Sequence, residues 1–274
     1  MVDVWAGNAR ATMLEIASFL DDYPCVAMDT EFPGVVLRTV PRQFASHEHA
    51  YDSVKLNVDS LSLIQVGLTF FDRQGRPRPG RCTFQFNLRF DLERELFAPD
   101  SIALLREAGI DFQRCAREGI PAEELAELFL TSGLVLNHRV HWIVFHGAYD
   151  QAYLLKLLSA QNLPDQLSEF RESCLLYFPH TSDLKCLTSG LIHGGLDAVA
   201  QQLRVKRTGS AHQAGSDSRV TGDAFFALER ACNDESEASS RPPWYTHVRQ
   251  RRDLVCNSIY GLRSENTRPE LQQT

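Results

Sequence analysis

Two acidic residues, Asp29 and Glu31, stand two positions apart in the segment CVAMDTEF, residues 25–32. This segment predicts a strand, and alternation along a strand would place both carboxylates on the same face of a sheet. Repulsion between the two charges, together with burial, would raise the pKa of at least one carboxylate. A divalent cation between them would remove that conflict, although such pairs also occur on solvated strand faces.

A third acid, Asp150, follows the apolar segment VHWIVFH, residues 140–146, at the predicted start of a helix. The end of a strand and the N-terminus of a helix can both face a ligand at such a junction. Taken alone, Asp150 is explained better as an ordinary first-turn aspartate, which the helix dipole favours.

A histidine and a fourth acid, His212 and Asp217, lie in the segment HQAGSDS. Gly215 allows a tight turn between them, and Asp217 is predicted to begin the last clear helix. Taken alone, they are a surface-loop histidine and a helix-capping aspartate. Ser216 offers a second capping side chain, which would leave Asp217 available for another role.

Taken together, these residues form an ordered set of four carboxylates and one imidazole that could converge at one edge of a sheet. Hard oxygen ligands suit Mg²⁺ or Mn²⁺ rather than zinc or copper. Two such ions could bind both sides of an in-line phosphodiester displacement, activating the attacking water and stabilising the leaving oxygen. Histidine exchanges protons near neutral pH, so His212 is a candidate to remove the proton of that water.

The elements that must position this set are predicted from the spacing of apolar residues. That spacing predicts a helix over residues 8–20 and three strands, expected to be antiparallel, over residues 25–32, 61–72 and 82–88. A polar segment from Arg38 to about Tyr51 is predicted to be a loop. Further helices are predicted over SIALLREAG, PAEELAELFLTSG, YDQAYLLKLLS, GLDAVAQQL and SDSRVTGDAFFALERAC. This order favours one mixed α/β sheet with helices packed on it.

The composition is that of a globular protein. The chain has 274 residues, of which 43% are hydrophobic and 23% charged, and its net charge is −7. This charge argues against a protein that coats DNA non-specifically, but not against an enzyme that holds phosphates through metal ions. The seven cysteines show no C-x-x-C spacing, which indicates reduced thiols in a cytosolic or nuclear protein. We expect neither a signal peptide nor a membrane span.

One domain is predicted over residues 1–263. Within it, residues 233–255 are polar and contain Pro242-Pro243, which indicates an exposed insertion. Residues 264–274 are expected to form a disordered tail.

Several stretches of the chain resemble the CAF-one (Pop-two) deadenylases, the DEDD-type nuclease subunits of the Ccr–Not complex. The matching stretches are AMDTEFPGVV, LNVDSLSLIQVGLTF, FQFNLRF, ELFLTSGLVL, FHGAYDQAYLLKLL and HQAGSDSRVTGDAFF. The similarity begins near Val4-Trp5, runs to about Ala231 and resumes weakly at CNSIYGL, residues 256–262. It therefore covers most of the chain.

This resemblance implies a ribonuclease H-like fold of the DEDD exonuclease type, a 3′→5′ direction, a poly(A) preference and AMP as product. The family's metal-binding acids fall on Asp29, Glu31, Asp150 and Asp217, and its histidine falls on His212. The resemblance also implies two divalent ions (Mg²⁺ or Mn²⁺), single-stranded poly(A) RNA as substrate, and two partners, a Ccr–Not scaffold subunit and a companion deadenylase. It is consistent with a location in both cytoplasm and nucleus.

Two features depart from the family pattern. The segment from about Asn233 to Val255 is longer and more polar, which could alter partner binding or regulation. The family's FHSGYD-like stretch is FHGAYD here, residues 145–150, which leaves the acid in place and could tune the rate.

Residues that could hold RNA are less clearly marked. Phe32 and Pro33 are candidates to pack against the terminal nucleoside, although Phe32 could equally belong to the core. Basic residues that could contact phosphates are Arg38, Arg42, Lys185 and the run from Arg204 to Arg207. For that run, a solvated helix end is the better explanation.

Two alternatives remain open from the sequence. The chain could be a DEDD exonuclease that acts on other RNA ends or on DNA. It could also be a catalytically silent scaffold of the same complex. Retention of all five site residues argues against the scaffold, because clustered acids without a metal destabilise a fold.

Overall fold

This computed structural model describes residues 1–37, 46–233, 248 and 256–262. These residues contain a six-stranded mixed sheet. Its strands are β1 (Val2–Val4), β2 (Cys25–Glu31), β3 (Gln65–Phe71), β4 (Thr83–Asn87), β5 (His141–Val144) and β6 (Thr181–Asp183). Across the sheet they lie in the order β1-β4-β3-β2-β5-β6. The strands β2, β3 and β4 are antiparallel, as predicted, whereas β5 and β6 continue the sheet parallel to β2.

Helices cover both faces of this sheet. In the described residues they are α1 (Ala9–Phe19), α2 (His47–Ser60), α3 (Pro99–Glu107), α4 (Phe112–Glu118), α5 (Ala122–Ser132), α6 (Ala148–Ser159), α7 (Leu167–Tyr177), α8 (Leu184–Thr188), α9 (Leu196–Gln202) and α10 (Ala214–Asn233). None of the helices in these residues is both long enough and apolar enough to cross a membrane. Among the described residues, no two cysteines form a disulfide bond.

The two faces of β2 pack against different helices. Val26 and Met28 belong to a large apolar cluster to which α1, α5 and α6 contribute. Cys25 and Ala27, which alternate with them, belong to a second cluster that includes α10. Burial on both faces explains why the strand is apolar up to Asp29.

Two glycines allow α10 to lie directly against the sheet. A Cβ atom on Gly67 of β3 would lie 2.0 Å from the carbonyl oxygen of Ala214. A Cβ atom on Gly222 of α10 would lie 2.2 Å from a ring carbon of Phe71. These approaches are too close for any residue with a Cβ, so glycine is required for the first turns of α10 to reach the sheet.

The predicted loop from Arg38 to about Tyr51 is wrong in its second half. The helix α2 begins at His47, and the Ser46 hydroxyl caps it by accepting a hydrogen bond from the backbone N–H of His49. Tyr51 and Val54 supply the buried face of the helix. Residues 38–45 lie outside the described residues.

Several elements were not predicted from the sequence. Besides α2, they are the strands β1 and β6 and the helices α4, α7 and α8. The strands have only three residues each, and their pairing depends on distant segments. The predicted polar insertion falls outside the described residues apart from Asn233 and Val248, and the predicted tail lies wholly outside them.

Candidate active site

The two acids of β2 face the helix α10. Ala27 lies 2.9 Å from the position that a Cβ atom on Gly222 would take, which shows that this face of β2 meets α10. Asp29 and Glu31 follow Ala27 at alternate positions and therefore share its face. Their partners in the antiparallel pair are Gly67 and Gln65 of β3, directly beneath the start of α10.

Asp217 enters from the first turn of α10. The sequence predicted that this helix begins at Asp217, but it begins three residues earlier, at Ala214. One carboxylate oxygen of Asp217, Oδ2, accepts a hydrogen bond of 2.9 Å from the backbone N–H of His212. Glu31, His212 and Asp217 each present a possible ligand atom within 4.8 Å of the others, which is close enough to hold one cation together.

Ser216, which the sequence offered as a possible cap, does not cap α10, because the helix begins two residues before it. Its hydroxyl donates to the carbonyl oxygen of Thr208 at 3.0 Å. Glutamine side chains from the sheet meet the N-terminus of the helix instead. Gln85 accepts a hydrogen bond of 3.0 Å from the backbone N–H of Gly215, and Gln65 accepts a longer one of 3.4 Å from that of Ala214. These two strands therefore fix where Asp217 stands.

Asp150 reaches the same region from the first turn of α6. Its Oδ1 accepts a hydrogen bond of 2.5 Å from the hydroxyl of Thr30, the residue between the two acids of β2. Asp150 is buried, with 7% of its surface exposed. The D-T-E sequence therefore supplies two acids on one face and, at the middle position, a donor that holds a third acid.

Burial, together with the charges of neighbouring acids, raises the pKa of three of these carboxyl groups, those of Asp29, Glu31 and Asp150. Burial is the largest cause that raises the pKa of Glu31 to about 8, followed by the charges of Asp217 and Asp150. Burial also raises the pKa of Asp150 to about 7, against the opposing hydrogen bonds from Thr30. The pKa of Asp29 lies well above its ordinary range, first through burial and then through the charges of the other three acids. The charges of Asp150 and Asp217 act on both Asp29 and Glu31.

This donor set fits a hard divalent cation. Carboxylate oxygens are the ligands that Mg²⁺ and Mn²⁺ prefer. A bound cation would also allow the carboxyl groups with raised pKa values to lose their protons, since an opposite charge favours the ionised form. Of the five residues predicted from the sequence, Glu31, His212 and Asp217 lie close enough to hold one cation. Asp29 and Asp150 belong to the same group of interacting charges.

A buried carboxylate that the sequence did not reveal supports the turn before Asp150. Asp183, at the end of β6, accepts backbone hydrogen bonds from His146 at 2.9 Å, Gly147 at 3.2 Å, Lys185 at 2.8 Å and Tyr260 at 3.1 Å. It is fully buried. It therefore joins the β5–α6 turn to α8 and to residues 256–262. No local pattern marks this role, because three of its four partners lie on distant segments.

The residues proposed to hold RNA are placed less uniformly. Phe32 is half-buried and stacks on Tyr149 and Tyr153 of α6, with ring centroids 5.0 Å away in each case. Pro33 is buried, and its carbonyl accepts a hydrogen bond from Ala98, which leaves it little surface for a nucleoside. Phe32 thus belongs to an aromatic cluster beside Asp150.

Among the basic residues considered as phosphate contacts, Lys185 and Arg207 show defined contacts, and those of Arg207 differ from the interpretation made from the sequence. The ammonium of Lys185 donates to the carbonyl of Gly194 at 2.6 Å and lies near the rings of Phe145 and Tyr260. Arg207, interpreted as part of a solvated helix end, instead points inward and pairs with Asp217. Arg38 and Arg42 lie outside the described residues.

Comparison with known proteins decides the family. The model of the family described as "CAF1 family ribonuclease" matches residues 4–131. The chain is 47% identical over 235 residues to "Probable CCR4-associated factor 1 homolog 7" of Arabidopsis thaliana, a match that covers 83% of this chain and 86% of that protein. The chain belongs to the CAF1 ribonuclease family. The resemblance seen in the sequence is confirmed.

Other CAF1 relatives agree over nearly the whole length. "Poly(A) ribonuclease pop2" of Schizosaccharomyces pombe is 42% identical over 264 residues, covering 96% of this chain and 75% of that protein. The solved S. pombe Pop2p in its Mg²⁺- and Mn²⁺-bound form has a TM-score of 0.84 at 39% identity, covering 95% of this chain and 99% of that one. That relative binds Mg²⁺ and Mn²⁺, the metal ions predicted from this sequence.

Two further solved structures bear on partners and fold. A yeast CAF1 co-crystallised with the NOT1 MIF4G domain matches with a TM-score of 0.71 at 29% identity, over 84% of this chain and 88% of that one. Exonuclease I matches at 13% identity with a TM-score of 0.53, over 83% of this chain and 43% of that one, a likeness of fold alone. The predicted ribonuclease H-like exonuclease fold of this CAF1 member is confirmed.

Proposed function

We propose that this protein is a poly(A)-specific 3′→5′ exoribonuclease that depends on divalent metal ions and releases AMP. The observation that carries the proposal is the convergence of four carboxylates and one histidine at the end of β2, where Glu31, His212 and Asp217 present ligand atoms within 4.8 Å of one another. A cation there would relieve the raised pKa values of Asp29, Glu31 and Asp150. The names of the relatives, a poly(A) ribonuclease and CCR4-associated factors, support the substrate.

The residues divide the chemistry between them. Asp29, Glu31, Asp150 and Asp217 supply oxygen ligands, and Thr30 keeps one oxygen of Asp150 in a fixed direction. Divalent ions bound there would supply an acidified water and positive charge for the leaving oxygen. His212 is exposed at the rim of the cluster, where its imidazole can accept the proton of the attacking water and pass it to solvent.

The same proposal extends to the assembly. A yeast CAF1 crystallises with a NOT1 domain, so we place this chain in a Ccr–Not complex with a scaffold subunit and a companion deadenylase. A location in cytoplasm and nucleus stays a prediction, which imaging of a tagged protein would check.

The test compares Asp29→Asn with Asp52→Asn, which removes an exposed carboxylate from α2. Each protein is incubated with a 5′-labelled RNA that ends in adenosines, in Mg²⁺, in Mn²⁺ and in EDTA. We expect a metal-dependent ladder from the 3′ end that pauses when the adenosines run out. The ladder should persist in Asp52→Asn and fall by at least about a thousandfold in Asp29→Asn.

The other hypotheses correspond to different outcomes. Equal shortening of other homopolymers or of single-stranded DNA would replace the poly(A) preference with a general exonuclease. A folded protein that shortens nothing in any metal, alone or with its scaffold and deadenylase partners, would favour the silent scaffold.

A further inference from the structure

Arg207 places a guanidinium at the edge of the acid cluster. Its Nη1 donates to Oδ1 of Asp217, and to the hydroxyl of Ser216 at 3.2 Å. Its Nε and Nη2 bond one oxygen of Asp197 on α9, at 2.7 Å and 2.6 Å. The Arg207 side chain is 20% exposed, so this charge is largely withdrawn from water.

The backbone around Arg207 is fixed as well. Gly209 has φ +93°, and a Cβ atom there would lie 3.0 Å from the hydroxyl of Ser216. That hydroxyl in turn donates to the carbonyl oxygen of Thr208. The segment that carries Arg207 is therefore pinned across the first turn of α10, which sets the direction of the guanidinium.

The charge of Arg207 acts beyond its direct partner. Asp217, which Arg207 contacts, presents a carboxylate oxygen within 4.8 Å of a ligand atom of Glu31. The guanidinium is thus positioned to offset part of the repulsion among the carboxylates. Asp197 is well exposed and holds the other side of the guanidinium, so Arg207 links a solvated carboxylate to a buried one.

We propose that Arg207 is the internal counter-ion of the acid cluster, stabilising the metal-free protein and competing with divalent ions for the carboxylates. This inference rests on the proposed metal-dependent function. Without metal, the guanidinium reduces repulsion among the acids. With metal bound, the same positive charge is repelled by the ions, so its benefit shrinks. Arg207 therefore lowers the affinity for metal while protecting the empty site.

A purely orienting role would give the opposite sign. Residues that orient a metal ligand usually strengthen metal binding, so their loss weakens it. The other oxygen of Asp217 is held independently by the backbone N–H of His212, so the direction of this carboxylate has a second support. Among the hydrogen bonds of Asp217 in the described residues, no second cationic side chain could replace the charge of Arg207. We therefore expect the loss of charge to dominate.

The experiment measures unfolding temperature in EDTA and Mn²⁺ affinity by calorimetry for Arg207→Gln, Arg207→Lys and Arg139→Gln. Arg139 pairs with Asp21 on the exposed surface and serves as the matched control for the loss of an arginine–aspartate pair. Arg207→Gln should unfold at a lower temperature in EDTA and bind Mn²⁺ about threefold to fivefold more tightly, the range of a partly exposed charge pair. Arg207→Lys, which keeps the charge, should bind Mn²⁺ like the wild type, as should Arg139→Gln.

Each contrary result points to a distinct failure. Weaker Mn²⁺ binding by Arg207→Gln would make Arg207 an orienting residue. Unchanged Mn²⁺ affinity with equal losses of stability in EDTA and Mn²⁺ would reduce it to a structural one. Either result overturns the inference and leaves the proposed function standing. A wild type that binds no Mn²⁺ would instead remove the metal centre, and with it both proposals.

Discussion

At the scale of single residues, neighbours decide what each acid of the site can do. Thr30 fixes one oxygen of Asp150 at 2.5 Å, and the backbone N–H of His212 fixes one oxygen of Asp217 at 2.9 Å. His212 adopts a left-handed backbone conformation with φ +60°, which is uncommon for residues other than glycine. Its strained backbone turns the N–H toward Asp217, while its side chain stays exposed to accept a proton.

Replacing His212 should separate proton removal from metal binding. We expect His212→Ala to reduce kcat by about a hundredfold or more, because a positioned base contributes that much, while Mn²⁺ affinity changes little. Poly(A) turnover and calorimetric Mn²⁺ titration would be compared with those of His138→Ala, an exposed histidine before β5. Equal losses of turnover and affinity would show that the imidazole is a ligand, which its closeness to Glu31 and Asp217 permits.

The raised pKa values of Glu31 and Asp150 predict how the stability of the protein depends on pH. Glu31 keeps its proton up to about pH 8 in the folded protein, whereas its ordinary pKa is 4.5. Between these values the folded state binds more protons than the unfolded state, so the free energy of unfolding falls as pH rises. Asp150 acts in the same direction up to about pH 7.

Thermal unfolding in EDTA should therefore show a lower midpoint at about pH 8 than at about pH 6. Saturating Mn²⁺ should shrink that difference, because a cation stabilises the ionised carboxylates. Glu31→Gln should flatten the dependence in EDTA, since it removes the group with the pKa of about 8. An identical slope in the wild type and in Glu31→Gln would contradict the assignment.

At the scale of elements, the N-terminus of α10 and the start of α6 are the two parts that must be held in place. Gln65 and Gln85, side chains of adjacent strands, meet the first N–H groups of α10. Asp183 holds the turn before α6 through two backbone hydrogen bonds. Both supports come from the sheet, so the sheet sets the separation of the two helices that carry Asp150 and Asp217.

The contact between β3 and α10 can be tested through its glycine. Gly67→Ala would force a Cβ atom to within 2.0 Å of the Ala214 carbonyl oxygen, so α10 would have to move. We expect a loss of about 3 kcal/mol in the free energy of unfolding. Gly7→Ala is the control, because a Cβ atom there meets nothing within 4 Å.

Urea unfolding would give the change in stability, and Mn²⁺ titration would give the effect on the site. Displacement of Asp217 should weaken Mn²⁺ binding in Gly67→Ala and leave it unchanged in Gly7→Ala. If Gly67→Ala kept both stability and affinity, the close approach of α10 would not be what positions Asp217.

At the scale of the whole molecule, the sequence predicted what local patterns encode. Alternation placed Asp29 and Glu31 on one face, and the antiparallel strands β2, β3 and β4 followed from their apolar spacing. The inward direction of Arg207 and the hydrogen bonds of Asp183 could not be predicted, because they depend on segments that meet only in the folded chain. Polar Gln65 and Gln85 within apolar strands were a usable sign of buried hydrogen bonding.

The distance along the chain between β2 and α10 has a consequence for synthesis on the ribosome. The acids of β2 are made early, but Asp217 stands on the last long helix of the described chain. Contacts so far apart in sequence form late, because a long stretch of chain must first be ordered between them. A nascent chain that still holds α10 inside the exit tunnel therefore lacks a complete nuclease site. The enzyme cannot cut the message from which it is being translated until nearly all of its own domain has emerged.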